Sequence, residues 1–506
     1  MSILHSLALG FSVSLEPMNL AYCFVGVLLG TLVGVLPGLG SAATIALLLP
    51  VTYSMSPTSA LIMLSGIWYG SMYGGSTTSI LLRVPGESAS VMTCIDGFEM
   101  ARRGRAGAAL GIAAFGSFIA GTFGLVGLIL LAPPLAEFAL DFGPPEYFAL
   151  TLLGLTLVSY LGSGTVPKAL AMAALGLLLG TVGLDPVRSQ ERFTFGILTL
   201  QGGLDMVPMV MGLFGMSQVL HLVQTRSAPV ESVGQLGGLL SLLPNRREWR
   251  DAGGAIGRGT LIGFLVGILP GAGGTISSYV AYAIEKRRSA HPERFGCGAI
   301  EGVAAPESAN NAATASGFIP LLTLGLPANV VMALMLGAFM LHGITPGPTL
   351  LMQKPDMFWG VITSMFIGNL MLLVLNLPLI GVFVRLARMP TAYLVPVIAV
   401  ACVVGAYSVN NNPVDILMML GFGVFGFYAE RFRFSLAPLV LGFVLGPLME
   451  TSLRQSLIIS EGSFEIFVSR PLSGVLLGLA LLMVALPVLR RIVGQRAPRR
   501  ADPPLA

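Results

Sequence analysis

The sequence predicts an all-α polytopic membrane protein with about 11–12 transmembrane helices. Only 10% of its 506 residues are charged, against about 25% in an ordinary soluble domain. Hydrophobic residues make up 54% of the chain, and the mean hydropathy is +0.84. Apolar runs near the roughly 20 residues that cross a bilayer recur along the chain. The 64 glycines and 33 prolines are typical of membrane helices that line a polar cavity, as in transporters and channels.

The predicted crossings follow one another along both halves of the chain. They lie near residues 59–82, 107–131, 147–163, 166–183 and 203–223, and then near 300–325, 357–384, 392–409, 414–429, 436–449 and 472–489. Lys and Arg in short loops set membrane orientation. The loop with Arg102, Arg103 and Arg105, the loop 224–258 and the basic tail are therefore predicted to be cytoplasmic, and the C-terminus with them.

One glycine-rich string occurs twice. Residues 30–40 reappear as residues 263–273 at an offset of 233, and eight of the eleven positions are identical. We interpret this as duplication, with residues 1–223 as a first membrane repeat, 224–258 as a cytoplasmic linker, 259–489 as a second repeat and 490–506 as a basic cytoplasmic tail. The alternative is two unrelated helix-packing faces of the small-xxx-small type.

Each copy contains a Pro-Gly break, at residues 37–40 and at residues 270–274. Proline removes a backbone donor and glycine is flexible, so each apolar segment is predicted to be a re-entrant or discontinuous helix. The second copy is basic at both ends, at Arg258 and at residues 286–288, which favours a hairpin that enters and leaves on the cytoplasmic side. The first copy has no basic flank. The repeats would then be inverted, and ordinary spans in a parallel repeat are the alternative.

The breaks and a nearby polar cluster supply the predicted substrate-binding residues. A half-helix N-terminus carries free N–H groups and partial positive charge, so it holds a carboxylate without a basic side chain. The predicted substrate-binding residues are Gly38, Gly40, Ser41, Ser76, Thr77, Thr78, Gly271, Gly273, Gly274 and Thr275. For any single hydroxyl the alternative is a bond to its own helix backbone.

A second polar cluster lies in an apolar stretch of the other half. Dense polar residues in such a stretch indicate a water-filled or ligand-filled cavity. The predicted cation-coupling residues are Glu307, Asn310, Asn311 and Thr314. For Glu307 the alternative is a cap at a helix start. Arg83 either contacts a substrate carboxylate or forms a structural ion pair with Glu87.

The remaining composition excludes several classes of function. The four cysteines and four histidines are scattered, so we expect no metal site, no bound cofactor and no catalytic residue. No nucleotide-binding P-loop string occurs, and nothing supports nucleic-acid binding. Energy must then come from a gradient or a partner. The alternative to a carrier is a gradient-independent channel for small anionic solutes.

Several motifs follow one another along the chain: Gly34-x-x-Pro37-Gly38-x-Gly40, residues 73–82 with Pro85-Gly86-Glu87, Asp96-Gly97-Phe98, and Ala305-Pro306-Glu307 with Asn310-Asn311-Ala312. In this order they resemble the TctA family, the large membrane subunit of tripartite tricarboxylate transporters. The resemblance extends from about Leu20 to Pro487. One departure is Arg83, where the family pattern has Asn.

The resemblance implies a bacterial inner-membrane secondary carrier. Its expected partners are a small TctB-like membrane subunit and a periplasmic TctC-like solute-binding protein. The expected substrates are carboxylates such as citrate, taken up by symport with Na⁺ or H⁺.

Overall fold

The chain folds almost entirely into helices, which confirms the predicted all-α polytopic membrane class. The computed structural model describes residues 2–36, 39–161, 165–185, 188–224, 239–387 and 389–494. Within these ranges seven helical segments are long and apolar enough to cross a membrane. They are Pro17–Val35, Ser88–Ala139, Met206–Gln224, Pro355–Asn376, Ala392–Asn410, Pro413–Arg431 and Leu436–Ile459.

The elements are numbered along the chain. The first half contains α1 (Ile3–Ser14), α2 (Pro17–Val35), α3 (Gly40–Thr52), α4 (Pro57–Leu82), α5 (Val91–Met100), α6 (Ala106–Ala139), α7 (Pro144–Leu161), α8 (Val166–Leu179), β1 (Gly183–Leu184), β2 (Glu191–Arg192), α9 (Met206–Val210) and α10 (Ser217–Gln224). The second half contains α11 (Arg246–Gly267), α12 (Gly273–Arg288), α13 (Glu301–Ser316), α14 (Phe318–Leu324), α15 (Val330–Leu341), α16 (Leu350–Gln353), α17 (Pro355–Ala387), α18 (Thr391–Asn410), α19 (Pro413–Arg431), α20 (Leu436–Ile459), α21 (Ile466–Ser469) and α22 (Pro471–Gly494). The two short strands pair antiparallel.

The first Pro-Gly segment turns the chain back on itself. Gly26, Gly30 and Gly34 of α2 pack in that order against the backbone of Met63, Ile67 and Ser71, so α2 and α4 run parallel. The intervening α3 must therefore run in the opposite direction. At the base, the Ser59 hydroxyl donates to Asn19 Oδ1 at 2.6 Å, which joins the start of α4 to the start of α2. We call α2 and α3 the first hairpin.

The second Pro-Gly segment has the same local arrangement. Gly259, Gly263 and Gly267 of α11 pack in order against Ala305, Ala309 and Ala313, so α11 runs parallel to α13. Two bonds, at 2.8 and 2.5 Å, join Arg258 midway along α11 to Glu285 near the base of α12, so α12 folds back along α11. We call α11 and α12 the second hairpin. Its helix α11 begins at Arg246, before the predicted repeat boundary at residue 259.

The two hairpins run in opposite directions. The Ser76 hydroxyl of α4 donates to Glu307 of α13, and the Trp68 ring lies 5.5 Å from that of Phe318 in α14. Residue numbers fall along α4 as they rise through α13 and α14, so these helices are antiparallel. This geometry favours the inverted arrangement over the parallel one, whereas the common origin of the two halves stays a prediction.

Exposed basic residues collect on one face, at the base of the second hairpin. This basic face carries Arg102, Arg103, Arg105, Arg246, Arg247, Arg250, Lys286, Arg287 and Arg288. An ion pair of 3.2 Å between Arg105 and Glu248 joins the starts of α6 and α11 there. From this face α6 carries the chain over 34 residues, roughly 50 Å at 1.5 Å per residue, to the opposite face. On the opposite face Arg470 pairs with Glu146 at 2.8 Å.

The glycine contacts between α11 and α13 give a stability prediction. A Cβ at position 263 would lie 2.6 Å from the Ala309 Cα, so Gly263→Ala is expected to lower the free energy of unfolding by about 1–3 kcal/mol. Gly257→Ala, on an open face of α11 with nothing within 4 Å, is the matched control and should stabilise by about 0.5–1 kcal/mol. Thermal unfolding of both purified variants in detergent measures the difference. Equal melting temperatures for the two variants would contradict the close helix packing.

Candidate functional site

The tips of both hairpins open into one cavity of about 440 Å³. Residues 39–43 of the first hairpin and residues 271–276 of the second line it. Residues 87–89, the start of α15 and parts of α4, α7, α10, α13, α19 and α20 also line it. The cavity is therefore built where the chain is broken in both halves.

Glycine is required at these tips by the backbone itself. Gly40, Gly271 and Gly273 have φ angles of +62°, +83° and +54°, a region that L side chains rarely adopt. A Cβ at Gly271 would also collide with the backbone of Val158 in α7. Gly38 lies outside the described residues.

Three helix N-termini point into the cavity, those of α3, α12 and α15. Their first N–H groups have no partner within their own helix, and the helix dipole gives each end partial positive charge. The hydroxyls of Ser88 and Thr275 lie 2.9 Å apart, so the two halves touch at this point. Among the described residues that line the cavity there is no Lys or Arg. An anion bound there would be held by backbone and hydroxyl donors.

Most of the residues predicted to bind substrate come together in this cavity. Gly40, Ser41, Gly271, Gly273, Gly274 and Thr275 line it, and they are joined by Thr314 and Glu87. Ser76 and Thr77 instead line a separate cavity of about 20 Å³, room for one water. Thr78 is buried and donates to the Gly75 carbonyl at 3.2 Å. The α4 hydroxyls thus lie outside the main cavity.

Glu307 lies at the centre of a buried polar cluster between the halves. Its side chain is fully buried and accepts bonds from the Ser76 hydroxyl at 2.5 Å, from the Thr93 hydroxyl, and from Asn310 Nδ2 at 3.3 Å. All three donors are neutral. No ion pair of Glu307 is found among the described residues. The alternative of a helix cap does not describe these contacts, since Glu307 lies inside α13.

The other two predicted cation-coupling residues extend this cluster. Asn311 Nδ2 donates to the Ser117 hydroxyl at 2.8 Å, and the Thr314 hydroxyl donates to the Asn310 carbonyl at 2.8 Å. Thr314 also lines the main cavity. One face of α13 therefore connects the buried carboxylate to the cavity.

Arg83 and Glu87 do not pair with each other. The Arg83 guanidinium lies 5.6 Å from the centre of the Phe98 ring. Glu87 Oε1 instead accepts the backbone N–H of Ser41 at 2.5 Å, at the start of α3. Arg83 does not line the main cavity, whereas Glu87 does.

Sequence reasoning missed several residues of the site. Asn329 and Glu430 line the main cavity, and Thr93 contacts Glu307. The signal for Asn329 was its motif Leu-Pro-Ala-Asn, which matches Val-Pro-Gly-Glu87 in the other half at an offset of 242. Glu430 and Thr93 have no local signal, since they reach the site from distant helices.

A helical membrane fold that encloses a polar cavity at the tips of two opposed hairpins defines a membrane transport protein. Residues 20–441 match the family described as Tripartite tricarboxylate transporter TctA family. The chain belongs to this family, as its motifs predict. The matched range contains both hairpins and most of the cavity wall.

Two relatives come from Agrobacterium vitis. An uncharacterized 52.8 kDa protein in the TAR-I ttuC' 3' region is 51% identical over 496 residues, which is 98% of each chain. An uncharacterized protein in the TAR-II ttuC' 3' region is 51% identical over 234 residues, 46% of this chain and 97% of the relative. No solved structure matches the chain.

Proposed function

We propose that this chain is the large membrane subunit of a binding-protein-dependent secondary transporter that imports tricarboxylate or citrate-like carboxylates. The observation that carries the proposal is the meeting of two opposed hairpin tips in one polar cavity. Secondary transporters place substrate sites at broken helices between related halves, with helix N-termini facing anionic groups. The cavity volume also suits a small organic acid.

Substrate carboxylates would bind mainly at the second hairpin tip. There the N-terminus of α12 offers backbone N–H groups from Gly273 and Gly274, beside the Thr275 hydroxyl. Gly40 and Ser41 would complete the opposite wall. Because no basic side chain lines this wall among the described residues, binding stays weak enough for release to either side.

The coupling cation would bind at Glu307. A fully buried carboxylate among neutral donors is costly unless a cation or a proton neutralises it. Asn310, Asn311 and Thr314 would supply oxygen ligands, since amide and hydroxyl oxygens suit Na⁺ as well as a protonated carboxyl. Either Na⁺ or H⁺ fits this chemistry.

The basic face would lie in the cytoplasm of a bacterial inner membrane. Positive loops face the cytoplasm, and this face carries the exposed Arg and Lys residues before α6 and at the base of the second hairpin. Helix α22 begins beside Arg470 on the opposite face, and its 24 residues, roughly 36 Å at 1.5 Å per residue, are long enough to cross the membrane toward the basic face. The C-terminus would then be cytoplasmic. A TctB-like membrane subunit and a periplasmic TctC-like binding protein would complete the system.

Uptake into proteoliposomes tests this proposal. Vesicles would contain this chain, its membrane partner and the binding protein, with radiolabelled citrate and a panel of carboxylates outside. Accumulation that requires both the binding protein and an imposed Na⁺ or H⁺ gradient is expected. Equilibration at a rate independent of either gradient would contradict the carrier and support the channel alternative.

A further inference from the structure

The two hairpin tips face different side chains at corresponding positions. A Cβ at Gly40 would lie 3.8 Å from both carboxylate oxygens of Glu87. A Cβ at Gly273 would lie 3.7 Å from Cβ and 3.8 Å from Nδ2 of Asn329. Glu87 and Asn329 thus occupy matching places beside matching glycines, and one of them is an acid where the other is an amide.

The Glu87 carboxylate already binds the N-terminus of α3. Its Oε1 accepts the N–H of Ser41, the kind of donor that a substrate carboxylate would use. A second bond fixes the backbone of Glu87: the Ser90 hydroxyl donates to the Glu87 carbonyl at 2.8 Å. The anion-binding end of the first hairpin is therefore occupied by a carboxylate of the chain itself.

The matching end of the second hairpin offers donors. Asn329 Oδ1 accepts the N–H of Met332 at 3.0 Å, which caps α15. This bond leaves Asn329 Nδ2 directed toward Gly273 and the start of α12. Both the amide and the helix end favour a carboxylate there.

The elements packed against Glu87 do not supply a positive charge to balance it. It contacts α3 through Ser41 and α4 through Gly75, and its neighbour Ser88 contacts α12. Helix α3 has no titratable residue. The charged residues of α12 lie at its far end, where Glu285 pairs with Arg258.

The other titratable groups nearby are engaged elsewhere. In α4 the Tyr73 hydroxyl donates to Asn369, and Tyr69 lies 3.7 Å from Cys23 of α2. Tyr22 is the other titratable residue of α2. Across the cavity, Nε2 of His221 lies 2.8 Å from Oε2 of Glu430.

The adjoining buried cluster adds a further acid, Glu307. The Arg83 guanidinium lies over the Phe98 ring and does not pair with Glu87. The first tip is thus the negative end of the cavity.

We propose that Glu87 determines which ionic form of the substrate this cavity accepts. One substrate carboxylate binds at α12 with Asn329, and a second carboxylate binds at α3 only when a proton neutralises Glu87. This inference rests on the proposed function. The expected substrate is a carboxylate with a charged group at one end, which binds at α12. Its other end is polar and is either neutral or shares a proton with Glu87.

The test compares wild type with Glu87→Gln in the exchange of citrate across the membrane of sealed vesicles, with equal pH inside and outside. Exchange without a gradient isolates binding from coupling. Burial raises the pKa of Glu87. The KM of wild type divided by that of E87Q is therefore expected to be smallest at acid pH and to rise about tenfold or more toward pH 8, because only ionised Glu87 repels the substrate. Titration of citrate supplies the same ionic forms to both proteins, and only wild type is expected to lose affinity as the fully ionised form becomes dominant.

Asn329→Asp is the matched control. Aspartate also caps helices, so α15 is retained while a carboxylate appears at the donor end. Its KM should exceed that of wild type throughout the pH range, because an aspartate at a helix N-terminus stays ionised there.

Two results would overturn the inference and separate it from the proposed function. A KM ratio for E87Q that stays constant with pH assigns Glu87 a structural role only. A wild-type protein that exchanges none of the carboxylates contradicts the proposed function, and the inference falls with it.

Discussion

Thr275→Asp should abolish carboxylate uptake, whereas Thr275→Asn should leave most of it. Thr275 is the third residue of α12, at the hairpin tip that lines the main cavity. An aspartate there places a carboxylate on the same N–H groups that we expect the substrate to use. Like charges brought together in a binding site cost several kcal/mol, so uptake by T275D should fall about a hundredfold below that of T275N.

The two variants differ by a charge and little else. Both lose the 2.9 Å contact between the hydroxyls of Thr275 and Ser88. Acidic residues in the first turn stabilise a helix, so Thr275→Asp should fold at least as well as its control. Initial rates of citrate uptake at saturating binding protein, normalised to folded carrier, measure the difference. Equal uptake by the two variants would place the substrate away from α12.

The hairpins could be predicted from the sequence because their signals are local. The Pro-Gly strings and the basic residues at both ends of the second copy are contiguous in the chain. These neighbouring residues predict a reversal of the chain direction without any information about distant residues. The glycine residues Gly40, Gly271 and Gly273 then lie at the cavity because the tips themselves form it.

The remaining site residues depend on tertiary contacts that leave no pattern in one segment. Ser76 and Glu307 are 231 residues apart and meet only because α4 and α13 are antiparallel neighbours. Ser76, Thr77 and Thr78 share a motif, yet α4 is buried along most of its length and turns these hydroxyls away from the main cavity.

Local rules also failed where packing outweighs them. Pro133 and Pro134 predict a turn, but α6 continues through them to Ala139. Each proline removes its own bond to the carbonyl four residues back and crowds that carbonyl, so α6 continues there without two of its backbone bonds. Similarly, Arg83 and Glu87 are close in sequence, but Glu87 bonds to the start of α3 and Arg83 contacts Phe98.

Glu307→Gln is expected to separate transport from its driving force. Glutamine has nearly the same shape and keeps an oxygen to accept a hydroxyl bond, so the cluster with Ser76 and Thr93 should persist in part. It has no charge for a cation to neutralise. Accumulation of citrate against its gradient should therefore fall below about a tenth of wild type, while exchange of citrate across the membrane continues.

Glu285→Gln is the control for this change. Glu285 is also buried, but its charge is balanced by Arg258 at the base of the second hairpin, far from the cavity. Its removal should lower stability and leave gradient-driven accumulation per folded carrier intact. Parallel assays of accumulation and exchange in the same vesicles distinguish the two roles. If E307Q still concentrates citrate, the buried carboxylate is structural and the coupling ion binds at another group.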